Sequence, residues 1–370
     1  MCKISFLLFL FSLIVFPGQN IIENPKKPLK TNSGRVIEAQ EVLRIEDKVG
    51  EYYFRMPHNI KIGQCGEILV QDNKQLLLFD KNGRFICNLF KEGQGPGEML
   101  SMTNYQLTPD QIIIHANPPK VMKFNYKGNL IEEIPIRSNE RLSSFEFYYK
   151  GKYYFIKTDW TKITGHEKII DIPKKLLCYG ENGNNLSTLA DFPNRYFIAQ
   201  LAGERAIIQV DRFITTHWLE RFLAVSHTPN YLIKIFDAER GEVLHSLRRN
   251  YRRAKKPKPD IEKQPRIFIG GKTYTQPAKN YEDDILGMTV SGDDLWVLTS
   301  TKLKKTGILV DVFNLKGEYI DSFVIKFDEC FPQIIRERYQ LTAYKSHVFA
   351  VIINKKDQYC LLKFAIDLKP

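Results

Sequence analysis

The chain is a succession of short apolar runs broken by turn residues, with no long amphipathic helical period. The clearest unit is residues 76–89. Leu76 to Phe79 form an apolar run that stops at Asp80. Gly83 then supplies the reversal, and Phe85, Cys87 and Leu89 alternate outward from it. Aspartate bonds its own backbone locally, and glycine accepts a positive φ without a steric penalty, so the segment predicts a β-hairpin. Weaker copies recur at residues 121–128 (Val-Met-Lys-Phe-Asn-Tyr-Lys-Gly), 176–183, 232–241 and 310–317, with an incomplete one at 360–367. Another strand-like run precedes each copy, at 67–72, 111–115, 152–156, 221–225, 294–298 and 347–352. A shorter alternating strand precedes each of those.

The pattern resolves into six units of about four strands, with a period of roughly 45–77 residues. A four-stranded sheet of this kind buries both faces only against neighbours. The expected fold is therefore all-β: a six-bladed β-propeller with blades at roughly 57–92, 102–138, 143–192, 204–250, 285–328 and 338–370. The last unit reaches the chain end after three strands, while a surplus strand lies at residues 36–45 or 52–56. An N-terminal strand completing the last blade would close the ring and leave no open sheet edge.

The first residues read differently. Lys3 precedes an apolar run, residues 4–16, interrupted only by Ser5 and Ser12 and ended by Pro17 and Gly18. At about 13 residues it is too short to span a bilayer as a helix, which takes about 20, and it reads as an export signal. The expected layout is a signal peptide at 1–19, a Lys/Pro-rich linker at 20–34 and the propeller at 35–370, with a long insertion at 251–284. An uncleaved anchor is the alternative. No later stretch is apolar and long enough to cross a membrane as a helix. The location implied is periplasmic, cell-surface or secreted.

Composition adds three constraints. Aromatics make up 12% of residues, mostly Phe and Tyr, which suits strands. The formal net charge of +12 favours anionic surroundings such as acidic glycans, head groups, cell-wall polymers or nucleic acid. Export argues against nucleic acid. The six cysteines (2, 65, 87, 178, 330 and 360) include no Cys-x-x-Cys pair, and read as small buried hydrophobes rather than metal ligands.

The repeat Phe-Asp-x-x-Gly followed by a polar and an apolar residue resembles blades of the NHL-type six-bladed β-propellers. The connector Gly93-Gln-Gly-Pro-Gly-Glu98 is similar to a Gly-x-Gly-Pro-Gly-Glu signature found after the first blade in many exported bacterial six-bladed propellers. The resemblance covers residues 50–370 at repeat level. Residues 178–180 and 237–241 depart from it. It implies a fold and an exported location. It transfers no catalytic residue.

Candidate chemistry is limited. Gly93, Gly95, Pro96, Gly97 and Glu98 could form an anion cradle, but without the Lys-Ser/Thr of a nucleotide loop they read as a tight structural turn between blades. The run 248–259 is basic without an acid. Its Tyr251, Arg252, Arg253, Lys255 and Lys256 suit a polyanion or acidic glycan. Trp160 and His166, in the loop between second and third strands of the third unit, and His217 and Trp218 could stack on or hold a ligand on the same loop face. Asp159, Asp211, Glu220, Asp283 and Asp284 are carboxylates available for acid/base or calcium chemistry, though no Asp-x-Asp-x-Asp loop occurs and no histidine pair has metal spacing. No metal or cofactor is expected. The leading expectation is a monomeric, exported binding or scaffold module for a carbohydrate, peptide, anionic polymer or protein partner, with enzymatic activity left open. A propeller lyase or lactonase-type hydrolase, which would need Ca²⁺ in the channel, is the alternative.

Overall fold

The computed structural model describes residues 20–138, 142–163, 168–201, 204–256, 266–269, 271–275, 279–303, 307–327 and 341–368. Among these, strands form eight sheets, and helix is confined to two 3-10 turns, Trp160–Lys162 and Thr228–Asn230.

Six sheets share one plan of four antiparallel strands, in chain order in the first five. The first comprises Pro57–Ile62, Ile68–Asp72, Gln75–Phe79 and Phe85–Asn88. The second comprises Ser101–Leu107, Ile112–Asn117, Lys120–Phe124 and Leu130–Pro135. Ser144–Tyr149, Lys152–Thr158, Lys174–Tyr179 and Asn185–Phe192 make the third. Phe213–Trp218, Phe222–His227, Leu232–Asp237 and Glu242–Arg249 begin the fourth. Ile285–Ser291, Asp294–Leu303, Gly307–Phe313 and Tyr319–Lys326 begin the fifth. The sixth has Leu341–Tyr344, His347–Ile353 and Tyr359–Ala365, and its fourth strand is Gln40–Ile45, antiparallel to Tyr359–Ala365.

Side-chain alternation explains why the runs look continuously apolar. Leu76 and Leu78 pack toward the second blade with Tyr105, Ile112 and Ile114. Leu77 and Phe79 point the other way, toward Phe349, Val351 and Leu361 of the sixth. Both faces of the sheet are buried, so Leu76 to Phe79 are all apolar. Apolar clusters of the same kind join the second to the third blade, the third to the fourth, the fourth to the fifth and the fifth to the sixth. The first strand of each blade touches the first strand of the next, and that of the sixth touches that of the first.

Two expectations fail at the N-terminal side. Residues 20–34 are not a linker. Ile21–Asn24 adds a fifth, parallel strand to Glu242–Arg249 of the fourth blade. Residues 29–34 then hydrogen-bond to Tyr319, Ile320 and Ser322 of the fifth, to which Arg35–Glu38 adds another parallel strand. Pro25 and Pro28 sit between these pairings, where no ladder donor is needed. Tyr52 to Met56 is not a blade strand either. Tyr52 and Phe54 fill the core between the sixth and first blades, and Asp72 accepts the N–H groups of Arg55 and Met56.

The fourth blade also starts later than expected. Glu204–Gln209 pairs with Arg195–Leu201, which pairs with Lys168–Asp171, in a separate three-stranded sheet. The 251–284 insertion contains a two-stranded hairpin, Arg266–Ile269 with Lys272–Thr275.

Candidate functional site

In an antiparallel blade, the connector into the first strand and the connector between second and third strands lie at the same end. Both small sheets are built from such connectors, belonging to the third, fourth and fifth blades. The hairpin touches the three-stranded sheet, and Tyr274 packs with Phe197, Ala199 and Val210. A second layer therefore covers part of this face.

The sequence-selected residues divide on this geometry. Trp160 stands on the face, 44% exposed, with its ring edge-on to Tyr196 at 5.3 Å. His166 and residues 257–265 lie outside the described residues. The basic run is braced by the chain's own acids. Arg253 bonds Asp284 at 3.0 Å and lies over the Tyr281 ring, and Lys256 faces Glu282 at 3.7 Å. Tyr251 is no stacking platform: it packs in the core between the fourth and fifth blades, with its hydroxyl on Ser300 and Thr301. Arg252 and Lys255 are exposed and, unlike Arg248, Arg253 and Lys256, form no ion pair among the described residues.

His217 and Trp218 are not on this face. They end the first strand of the fourth blade, where Trp218 pairs with Phe222 across the turn at the opposite end. Trp218 is fully buried, and its indole N–H donates to Asp293 O at 3.0 Å. Its size and single donor suit that interior place, which its neighbours in sequence do not reveal.

The carboxylates are dispersed into ion pairs. Asp159 accepts from Thr161 and pairs with Lys175 at 3.0 Å, which holds its pKa down at about 2. Burial works against ionisation of Asp211, but Arg195 and Lys279 outweigh it and keep its pKa low. Lys279 also reaches Asp283 at 2.8 Å. Burial of Asp284 pushes its pKa up to about 6, with Arg253 opposing. Glu220 is exposed. Among the described residues, no three His, Cys, Asp or Glu side chains are grouped to hold a metal ion, and no helix is long and apolar enough to cross a membrane.

The glycine-rich connector is filled by its own chain. Gly95 N–H donates to Glu98 Oε2 at 2.9 Å, and Gly97 N–H to Glu133 Oε2 at 2.9 Å. Lys120 pairs with Glu133 at 3.0 Å and donates to Gly95 O. Two carboxylates thus occupy the donors that an external anion would need.

Sequence reasoning missed the inner strands. Their outer edges lack a sheet partner, and polar side chains reach across instead. Lys61 donates to Tyr105 O, Asn104 to Phe145 O at 2.5 Å, and Tyr148 N–H to Gln106 at 2.5 Å. His217 stacks on Phe147 at 5.1 Å. Thr216 donates to Met288 O at 3.1 Å, Ala343 N–H to Thr289 at 2.9 Å, and Thr342 to Ile60 O at 2.8 Å. This belt visits all six blades in order. Register shifts interrupt the inner strands of the first three blades at His58/Lys61, Met102/Asn104 and Phe145/Phe147. Such bulges re-aim a side chain. One of them falls on Glu146, a carboxylate set among aromatics in Ser144-Phe-Glu-Phe-Tyr148. That interruption was the signal available in the sequence.

Six sheets, each with four antiparallel strands at its heart, in cyclic contact around their first strands define the β-propeller class. The comparisons agree with it. A family model described as a 6-bladed beta-propeller matches residues 42–211. A crystal structure of a Bacteroides fragilis protein described as exported is similar at a TM-score of 0.54 and 11% identity, covering 95% of this chain and 100% of that one. A search of curated proteins finds no match.

Proposed function

We propose that this chain is an exported binding or scaffold propeller with NHL-type repeats, its ring closed by the Gln40–Ile45 strand. Its ligand is a carbohydrate, peptide or anionic polymer taken at the connector face. The observation that carries this reading is the second layer there. Insertions in functionally neutral loops would scatter over both ends of the blades, whereas the large ones collect at one end of three consecutive blades. Trp160, Arg252 and Lys255 are exposed in connectors of that same end. Antiparallel pairing of residues 40–45 with Tyr359–Ala365, and the core they share with the first blade, support the closure. The apolar run at 4–16 and the likeness to an exported protein support the location.

A double variant Arg252→Ala/Lys255→Ala, with Trp160→Ala separately, tests the face on an anionic glycan array. Binding should weaken in both. Equal binding by wild type and variants would remove this face from the site. Arg253 and Lys256 are poor choices because their loss would strip Asp284 and Glu282 of partners.

A further inference from the structure

We propose that the inner strands of the first three blades hold a ligand carrying one carboxylate together with hydroxyl groups, an acidic sugar. Lys61 takes the carboxylate and Glu146 the hydroxyls. This rests on the carbohydrate branch of the reading above, but uses different residues.

The physical case begins with a half-buried lysine and a buried glutamate. The Lys61 ammonium donates to Asn104 Oδ1 at 3.1 Å and to Tyr105 O, and lies 4.9 Å from the Tyr105 ring centroid. These acceptors are neutral, and no carboxylate of the described residues lies within ion-pair distance of it. Burial lowers its pKa to about 8, with Glu146 opposing at longer range. Glu146, 5% exposed, accepts from Ser144 Oγ and likewise has no cation within ion-pair distance among the described residues. Lys174, the other lysine whose field reaches Glu146, has its ammonium 4.4 Å from the Phe213 ring centroid. A buried charge left unpaired is strongly unfavourable, and a fold that wanted only stability would replace it with an apolar residue.

Position adds to this. Glu146 is the bulged residue of its strand, and Asn59, at φ 50°, lies in the bulge beside Lys61 and donates to Asn104 Oδ1 at 2.9 Å. Asn104, which accepts from Lys61, donates in turn to Phe145 O at 2.5 Å, so the ammonium lies one side chain away from the bulge that carries Glu146. The far end of the inner strands is pinched where Gln106 meets His217 at 3.5 Å, blade two to blade four. The charges are therefore reached from the connector face.

The charge pattern selects the ligand. A bare cation would sit against Lys61 and Lys174. A phosphate dianion would sit against Glu146. A single carboxylate with neutral donors satisfies both signs.

The test titrates glucuronate, galacturonate and glucose into wild type, Lys61→Gln, Glu146→Gln and the Arg252→Ala/Lys255→Ala double variant, alongside thermal melts without sugar. A uronate should bind wild type, with at least about tenfold weaker binding in Lys61→Gln and Glu146→Gln and little change in the double variant. Glucose should not bind. Without sugar, Lys61→Gln and Glu146→Gln should melt at or above the wild-type temperature, because each removes a charge that has no ion-pair partner. No uronate binding by wild type overturns the proposal. So does a clear fall in melting temperature for both variants, which would make the two residues structural braces. Uronate binding lost only in the double variant would leave the connector-face reading standing and refute this one.

Discussion

Glu98 and Glu133 show what the glycine-rich connector is shaped to hold. Gly93 adopts φ +155°, and a Cβ there would overlap the Glu98 carboxylate that closes the turn. Gly93→Ala should therefore cost about 1–3 kcal/mol, read from denaturant melts, since both the backbone and the carboxylate must shift. Unchanged stability would show that the Glu98 contact is dispensable. At this scale the sequence was a partial guide. Its glycines and proline gave the turn. The aromatic side chains did not declare their burial: Trp160 and Trp218 look alike in the chain, yet one is exposed and the other sits at 0% in a core. Lys61 was invisible for the opposite reason. In Asn59-Ile-Lys-Ile62 a lysine between apolar residues reads as the solvent side of an alternating strand. Only the neighbouring inner strands turn that side inward.

At the scale of elements, the segment 20–38 is the main surprise. Its first strand ends in Asn24, whose side chain donates to Gly317 O at 2.9 Å and accepts from Tyr319 N–H at 2.8 Å. A buried amide thus ties the outer edge of the fourth blade to the hairpin turn of the fifth. Arg35 follows with two bonds to Asp321, at 2.9 and 3.0 Å. Asn24→Ala should lower stability by about 1–3 kcal/mol, because it strands one buried donor and one acceptor. It should also speed cleavage in the segment 25–34 under limited proteolysis. Equal protection of wild type and variant would contradict a load on Asn24. The segment escaped sequence reading because Pro25-Lys-Lys-Pro28 has the composition of a solvated linker. A four-residue parallel strand has too few positions to show a period, and its partner lies over two hundred residues away, from Ile21 to Ser246. Strands of the blades were easier: their hairpins are local, and Asp80, Asn125 and Asn314 mark turns in the sequence itself.

Across the whole molecule, buried neutral imidazoles set the acid response. Burial lowers the pKa of His115 and of His217 to about 4, against an ordinary value near 6.5. Between those values the unfolded chain binds protons that the folded chain refuses. Their contribution is intact above about pH 6.5 and is lost as pH falls toward 4, at up to about 1.4 kcal/mol per pH unit for each group. Asp284, raised to about 6, acts in the opposite sense: its folded form binds the proton first, so it favours the folded state as pH falls below 6. Burial also lowers the pKa of His227, His245 and His347, and it raises that of Asp294 and Asp311 as it does that of Asp284, so among the described residues lowered imidazoles outnumber raised carboxylates five to three. Unfolding free energy should therefore drop between pH 6.5 and 4.5, and His217→Gln should flatten the drop. A flat wild-type profile would contradict buried, neutral rings. The sequence could supply the number of blades, because each unit repeats the same local hairpin. It could not supply the layer over the connector face, which comes from insertions that break the repeat.

The outer strand of the sixth blade has a further consequence, for the order of events during synthesis. Glu46, just beyond that strand, meets Cys360 at a separation of 314 residues. Residues 40–45 must wait for residues 359–365 before this sheet can form. Long-range pairing of this kind slows folding and keeps a strand edge bare in the interim. Until residues 359–365 are available, the edge of Gln40–Ile45 is a template for pairing with another chain.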